Sequence, residues 1–299
     1  MARALDGKAL AKEIKDELKI KINNWINTGH RAPSLRCIIV GSDPASHTYV
    51  KNKIQAAIDI GIEAQTIKYD ENLTEEALIT AIQLLNQDKL VDGILVQLPL
   101  PNGIDERRVC NAVAPEKDVD GFHITNVGQL SLDMPTIVPA TALAVIEMLK
   151  RFKIETIGRN AVVVGRSKNV GLPIAMMLHS DRHHDSGLGM DATVTICHRY
   201  TPAEQLAVHC RNADIIVTAT GVPKLIKADM IKPGATVIDV GITRITDEQG
   251  KTKLVGDVDY DEVRKIAGAV TPVPGGVGPM TVAMLMHNTF QASQKIWQQ

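Results

Sequence analysis

The sequence predicts an α/β protein: a doubly wound, parallel or mostly parallel sheet with helices on both faces, built in two domains. Three observations point to this class. Strand-sized apolar runs alternate with segments whose apolar residues recur at helical spacing. The alternation occurs twice, before and after a turn-rich stretch at 115–141. A length of 299 residues suits two domains of ordinary size.

In the first series, Leu10, Ile14, Leu18, Ile22 and Trp25 mark a helix over 7–28. "LRCIIVG" (35–41) reads as a buried strand, 45–61 as a helix closed by Gly61, and 63–69 as a second strand. A helix over 73–87 follows, with acids in its first turn where the helix dipole favours them. "DGILVQLPLP" (92–101) is a third strand, stopped by its prolines. Residues 115–141 read as a functional loop, too polar for a core element, before a helix near 140–152.

The second series has strands at 160–165, 193–198, 214–220 and 235–241, with helical segments between them. Thr201-Pro202-Ala203-Glu204 reads as a capping box. The last section, 271–293, is a Pro/Gly turn and then an apolar helix expected to return to the first domain. The first domain is therefore drawn as 1–148 completed by 277–299, and the second, Rossmann-like, as 149–276.

The composition, 44% hydrophobic and 22% charged, is that of a globular chain, and a formal net charge of -1 offers no basic footprint for nucleic acid. The apolar runs are too short for a membrane span, so no membrane partner is expected. Cys37, Cys110, Cys197 and Cys210 form no C-x-x-C pair and read as buried small hydrophobes in a reducing compartment. No targeting leader precedes the first helix, so import into an organelle would require that a leader had been removed.

Gly165-Arg166-Ser167-Lys168-Asn169-Val170-Gly171 joins a strand to a helix without the usual G-x-G-x-x-G. Gly165 permits the tight turn, the helix amino terminus offers N–H groups to a phosphate, and Ser167 can donate another hydrogen bond. The next strand ends in His198-Arg199 rather than the acid that binds the ribose of NAD. Two arginines, Arg166 and Arg199, suggest on pattern alone a 2′-phosphate and hence NADP.

Tyr49 and Lys53 lie four residues apart and share one helix face, where they could stack an aromatic ring and transfer a proton. The competing reading is a surface lysine beside a half-buried tyrosine. Gln97, inside an apolar strand, needs partners: it could orient Lys53 or a ligand, or be a core amide satisfied by backbone. Of Asp118 and Asp120, one carboxylate could receive two N–H donors of a heterocycle, and the alternative is a turn-forming aspartate. "HSDRHHD" (179–185) lacks firm metal-ligand spacing and reads as a solvated loop.

The motifs "GSDPASHTYVKNK", "GILVQLPLP", "KDVDGF", "VVVGRSKNVGLPIA", "GDVDY" and "TPVPGGVGPMTVAML" together resemble the methylenetetrahydrofolate dehydrogenase/cyclohydrolase family over nearly the whole chain. The resemblance implies two α/β domains flanking a cleft, a homodimer, and folate and NAD or NADP as ligands. It implies that Tyr49 stacks on the pterin and Lys53 transfers protons. Gln97 would hold that lysine, and Asp120 would anchor the pterin edge. Val96 and Leu98 would line the substrate site, together with Pro274, Gly275, Gly276, Val277 and Gly278. Ile242 would join Gly165, Arg166, Ser167 and Arg199 in holding the cofactor.

Two departures from the family pattern stand out. Val138-Pro139-Ala140-Thr141-Ala142 replaces a P-C-T-P segment, which should loosen the helix start slightly. The stretch from His179 to Thr201 is longer than in the usual NADP-dependent members and resembles the animal mitochondrial NAD-dependent branch. That branch implies an inorganic phosphate on Arg166 and Arg199, magnesium near Asp133 and Asp191, and a mitochondrial matrix location. The other readings weighed are a catalytically silent folate- or nucleotide-binding protein and a dehydrogenase for another small substrate.

Overall fold

A computed structural model describes residues 1–183, 187–246, 250 and 252–294. The chain opens with β1 (Arg3–Ala4) and α1 (Gly7–Asn27), then alternates β2 (Ser34–Val40), α2 (Pro44–Asp59), β3 (Glu63–Tyr69), α3 (Glu75–Gln87) and β4 (Gly93–Val96). Three helices follow: α4 (Glu106–Ala112), α5 (Ile124–Ser131) and α6 (Ala140–Arg151). The second series runs β5 (Asn160–Val164), α7 (Gly171–His179), β6 (Thr193–Cys197), α8 (Ala203–Asn212), β7 (Ile215–Thr218) and β8 (Thr236–Asp239). After β9 (Thr243–Thr246) and β10 (Thr252–Val255) come α9 (Tyr260–Val263), β11 (Ala269–Val270) and α10 (Val277–Gln294).

The smaller sheet has the order β3-β2-β4, with both pairings parallel. Its strands are joined by helices whose starts are written in their caps. The Asp43 carboxylate accepts from the Ser46 N–H at 2.8 Å, and Pro44 stands in the first turn of α2. The Thr74 hydroxyl accepts from the Ala77 N–H at 3.2 Å to open α3. Leu78 and Ile82 of α3 are fully buried in a cluster with Ile38, Ile94 and Val109. Each such side chain contributes about 1.5–3 kcal/mol by leaving water.

The larger sheet has the order β1-β11-β8-β7-β5-β6, every neighbouring pair parallel. From β5 the chain crosses to β6 on one side and then to β7 on the other, so β5 marks the switch point where α/β sheets bind ligands. Val162, Val164, Ile216 and Val237 are buried at its centre. β9 and β10 form a separate antiparallel hairpin.

By contacts, Lys12–Gln129, Pro135–Ala140 and the chain from Val282 onward belong with the smaller sheet. Met1–Ala11, Leu130–Met134 and Thr141–Thr281 belong with the larger one. α6 and the first eleven residues thus join the larger sheet, whereas the sequence reading drew the first boundary after 148. Residues 295–299 of the expected final helix lie outside the described residues, as do 184 and 185 of the histidine-rich stretch.

Three expectations need correction. The third strand ends at Val96: the Gln97 N–H makes the last bond, to the Ile38 carbonyl, and Pro99 and Pro101 have no N–H to continue the ladder. The stretch 115–141 is not all loop: α5 forms within it, its entry fixed by the Asp118 carboxylate, which accepts from the His123 N–H at 2.7 Å. The Thr201 capping box does not form. Its hydroxyl accepts from the His198 N–H at 2.9 Å, and Pro202 precedes α8 with no side-chain cap.

Candidate active site

In the unit built on the smaller sheet, α2 and the end of β4 bring Lys53 and Gln97 together. Lys53 Nζ donates to Gln97 Oε1 at 3.0 Å. The Gln97 amide NH2 donates in turn to the Leu98 carbonyl, and its backbone N–H to Ile38 at 2.9 Å. Both readings of Gln97 therefore hold: backbone satisfies one end of the amide, which leaves the other aimed at the lysine. Tyr49, one turn earlier on α2, is 44% exposed, so its ring is available for stacking.

Asp118 and Asp120 meet different surroundings. Asp118 is buried, and its carboxylate accepts from the His123 N–H and, at 2.9 Å, from Asn126 Nδ2. It is the turn-forming aspartate. Asp120 is half-buried; burial raises its carboxyl above the ordinary value, and the Lys53 ammonium opposes that rise. Cys37 on β2 lies within reach of both charges, yet burial pushes its thiol up to about 12, so it stays an inert hydrophobe. All four cysteines are buried and free. Val96 ends β4, buried, and Leu98 follows Gln97 on the same exit.

Asn288, from the middle of α10, fixes this loop from behind. Its Nδ2 donates to the Val119 and Val138 carbonyls, each at 2.9 Å. Nothing in the apolar pattern of α10 had marked that asparagine; a polar residue within "VAMLMHNTF" was the available signal.

The larger sheet holds the second set of residues. Gly165 leaves β5 with φ 128°, and a Cβ there would press on the Ala219 carbonyl at 2.5 Å. A methyl on Gly171 would overlap the Gly165 carbonyl, so both glycines are required by close approach of backbone. α7 starts without a side-chain cap, but its first turn is largely spoken for: the Leu172 N–H donates to the Ser167 carbonyl at 2.9 Å and Pro173 has no N–H, which leaves the Gly171 N–H and corrects the expectation of several open donors. Ser167 is exposed on the same turn.

Val164 pairs with Cys197, and the Gly165 N–H donates to the Cys197 carbonyl at 2.9 Å. Arg166 and Arg199 therefore leave neighbouring strand ends at matching levels. Both are exposed, and among the described residues neither makes an ion pair. The Arg166 guanidinium lies 5.8 Å from the centroid of the Tyr200 ring, a partner that the sequence reading had passed over.

The magnesium expectation meets a different arrangement. Asp191 receives Arg182 Nε at 2.6 Å, so its carboxylate is committed to a cation of the chain itself. Among the described residues no group of three or more His, Cys, Asp or Glu side chains is placed to hold a metal. Asp133 and Asp191 do not fit a magnesium centre as they stand.

Ile242 is partly exposed, and a Cβ on Gly278 would touch its Cδ1 at 3.3 Å. The turn from Pro274 to Gly278 is held by α1: Lys8 N–H donates to the Gly275 carbonyl at 2.8 Å, and a side chain on Gly7 would overlap Gly276. Gly275 has φ 105°, and Val277 is buried at the start of α10.

Comparison with known proteins gives one consistent result. Residues 5–120 match the tetrahydrofolate dehydrogenase/cyclohydrolase catalytic domain, and residues 139–297 match the NAD(P)-binding domain of the same family. The human mitochondrial bifunctional methylenetetrahydrofolate dehydrogenase/cyclohydrolase 2 is 57% identical over 293 residues, 98% of this chain and 84% of that protein. The mitochondrial bifunctional enzyme of Drosophila melanogaster is 57% identical over 296 residues, 99% of this chain and 96% of that one. A solved 5,10-methylenetetrahydrofolate dehydrogenase from the silkworm Bombyx mori superimposes with a TM-score of 0.95 at 71% identity, covering 100% of both chains.

Proposed function

The chain belongs to the tetrahydrofolate dehydrogenase/cyclohydrolase family, and from that premise we propose that it oxidises 5,10-methylenetetrahydrofolate with NAD and hydrolyses the 5,10-methenyl product to 10-formyltetrahydrofolate. The observation that carries the reading is the Lys53–Gln97 pair, one helical turn from an exposed Tyr49 and facing the charge of Asp120.

The first step asks the protein for position rather than for an acid or base. The nitrogen lone pairs beside the methylene carbon push the hydride out, and the bound dinucleotide supplies the acceptor. Gly165, Ser167 and the Gly171 N–H suit a pyrophosphate, while Ile242 beside Gly278 brings the cofactor wall to the folate turn. Tyr49 stacks on the pterin, Asp120 accepts hydrogen bonds from its edge, and Val96 and Leu98 lie beside them; the Pro274–Gly278 turn is assigned to substrate binding by the family resemblance alone.

The second step needs proton transfer. The methenyl product is an amidinium-like cation open to water, and a proton must leave that water and reach a ring nitrogen. Lys53 Nζ is the group we assign to both transfers, held by Gln97 Oε1 so that one N–H direction is fixed. Lys53→Ala should reduce methenyl hydrolysis to background and leave hydride transfer measurable. Undiminished hydrolysis in that variant would overturn the assignment.

Arg166 and Arg199 support an anion site at the ribose end. An inorganic phosphate there would let NAD serve in place of NADP by separating two guanidinium charges. The same pair would hold the 2′-phosphate of NADP, which is the second reading. A mitochondrial location accords with the names of the human and fruit-fly relatives, and a homodimer belongs to the same family reading.

A further inference from the structure

The "GDVDY" segment has no part in the chemistry above, yet it carries the most deeply buried acid among the described residues of the larger-sheet unit. Asp257 is 0% exposed and Asp239, at the end of β8, is 3% exposed. Among the described residues neither makes an ion pair with a cation. Two buried carboxylates without a cation are costly, so their hydrogen bonds must hold something in place.

Those bonds form a chain across the carboxyl end of the sheet. The Asp239 carboxylate accepts three backbone N–H groups: Gly241 at 3.0 Å, Asp257 at 3.1 Å and Val258 at 2.9 Å. Its own N–H donates to Thr271 Oγ1 at 2.7 Å, at the head of the turn that runs to Gly278. Asp257 Oδ2 accepts the Thr218 hydroxyl at 2.9 Å, the Thr220 N–H at 2.6 Å and the Thr220 hydroxyl at 2.8 Å. Thr218 and Thr220 bracket Ala219, whose carbonyl is the surface against which Gly165 packs.

The glycines of the two strand exits are cut to fit. A methyl on Gly241 would overlap the Asp257 carboxylate, and one on Gly256 would overlap that of Asp239. Asp257 Oδ1 is buried with no hydrogen-bond partner, pressed against Gly241, one residue before Ile242. Burial also pushes the Asp239 carboxyl up to about 6, in keeping with a tightly enclosed acid.

We propose that Asp239 and Asp257 form a latch that positions three parts of the site at once: the Gly165 turn, the Ile242 wall and the Pro274–Gly278 turn. They are positioning residues, and the hydride-transfer step depends on the spacing they set. This rests on the dehydrogenase reading above.

The test uses the full chain and a substrate deuterated at the methylene carbon. Asp257→Ala should lower dehydrogenase kcat by about 10²-fold, the scale of a small misplacement of reacting groups. The deuterium isotope effect should rise, because hydride transfer becomes the slow step. Methenyl hydrolysis, centred on Lys53, should keep its wild-type kcat. Asp257→Asn retains an acceptor for Thr218 and Thr220 and should recover most of the loss. Thr218→Val, which removes one donor at constant shape, should move kcat and the isotope effect the same way by less, and it carries the test if Asp257→Ala does not fold. Equal losses of both activities with an unchanged isotope effect would mark a merely structural role and overturn the latch. Wild-type kcat in Asp257→Ala would do the same. A wild-type chain without any dehydrogenase turnover would instead refute the enzymatic reading.

Discussion

Asp118 and Asp120 stand two residues apart and meet different surroundings. Asp120 faces an ammonium, whereas Asp118 faces neutral donors and the negative charge of Asp120, and burial above all lifts its carboxyl from 3.8 to about 7. A raised acid binds its proton more tightly in the folded chain than in the unfolded one. It therefore lowers stability as pH rises from about 3.8 through about 7, and the loss is complete above that window. Asp118→Asn keeps an acceptor for His123 and Asn126 and cannot ionise. The melting temperature of this variant relative to wild type should climb across the same window; a constant difference would show that Asp118 does not titrate there.

At the scale of elements, the loop that enters α5 is fixed by backbone that leaves no room. Gly121 has φ 71°, and a Cβ would meet Pro139 N at 2.7 Å and the Ile137 carbonyl at 2.8 Å. Gly121→Ala should cost more than about 1 kcal/mol, read as a lower denaturant midpoint at unchanged slope. Because Asp120 is its neighbour, the folate KM should rise with it. Unchanged stability would mean that the 137–139 segment yields.

The elements differ in how far sequence alone could find them. β2, β5, β7 and β8 are centred on buried apolar stretches such as Cys37–Val40, Ala161–Val164 and Ile215–Val217, a signal that survives any context. β1 and β11 are two residues each, too short for any period to register, and exist only because they pair across the chain. α5, "ITNVGQLS", carries few apolar residues and depends on Asp118 at its entry, a bond across five residues that helical periodicity does not register. Thr201 has the pattern of a cap, but its hydroxyl turns back to the His198 N–H and α8 starts after Pro202 without a side-chain cap. The site divides in the same way. A glutamine inside "ILVQLP" announces a need for partners, so Lys53–Gln97 was readable. The Asp239–Asp257 bonds were not, since no spacing says that a carboxylate oxygen will lie against a glycine Cα.

For the whole molecule, the open choice is which dinucleotide it uses. Arg166 and Arg199 emerge at equal level from β5 and β6, exposed and without acidic partners among the described residues. If phosphate completes an NAD site there, adding inorganic phosphate should raise NAD turnover in wild type. Arg199→Ala should abolish that stimulation while leaving methenyl hydrolysis intact. Stimulation by phosphate in the variant, or none in wild type beside strong NADP turnover, would favour the second reading.

Both sheets also share a dependence on the far end of the chain. Arg3 and Ala4 find their strand partners only at Ala269 and Val270, and the Val119 carbonyl finds its donor only at Asn288. During synthesis the β2–β3–β4 sheet can pair early, from residues close in sequence. The edge strand β1 must wait for β11, and the loop that carries Asp120 for α10. A nascent chain halted before α10 would thus hold Lys53 near Gln97 while the Asp120 loop lacked its clamp, so the order of synthesis separates the two parts of this unit.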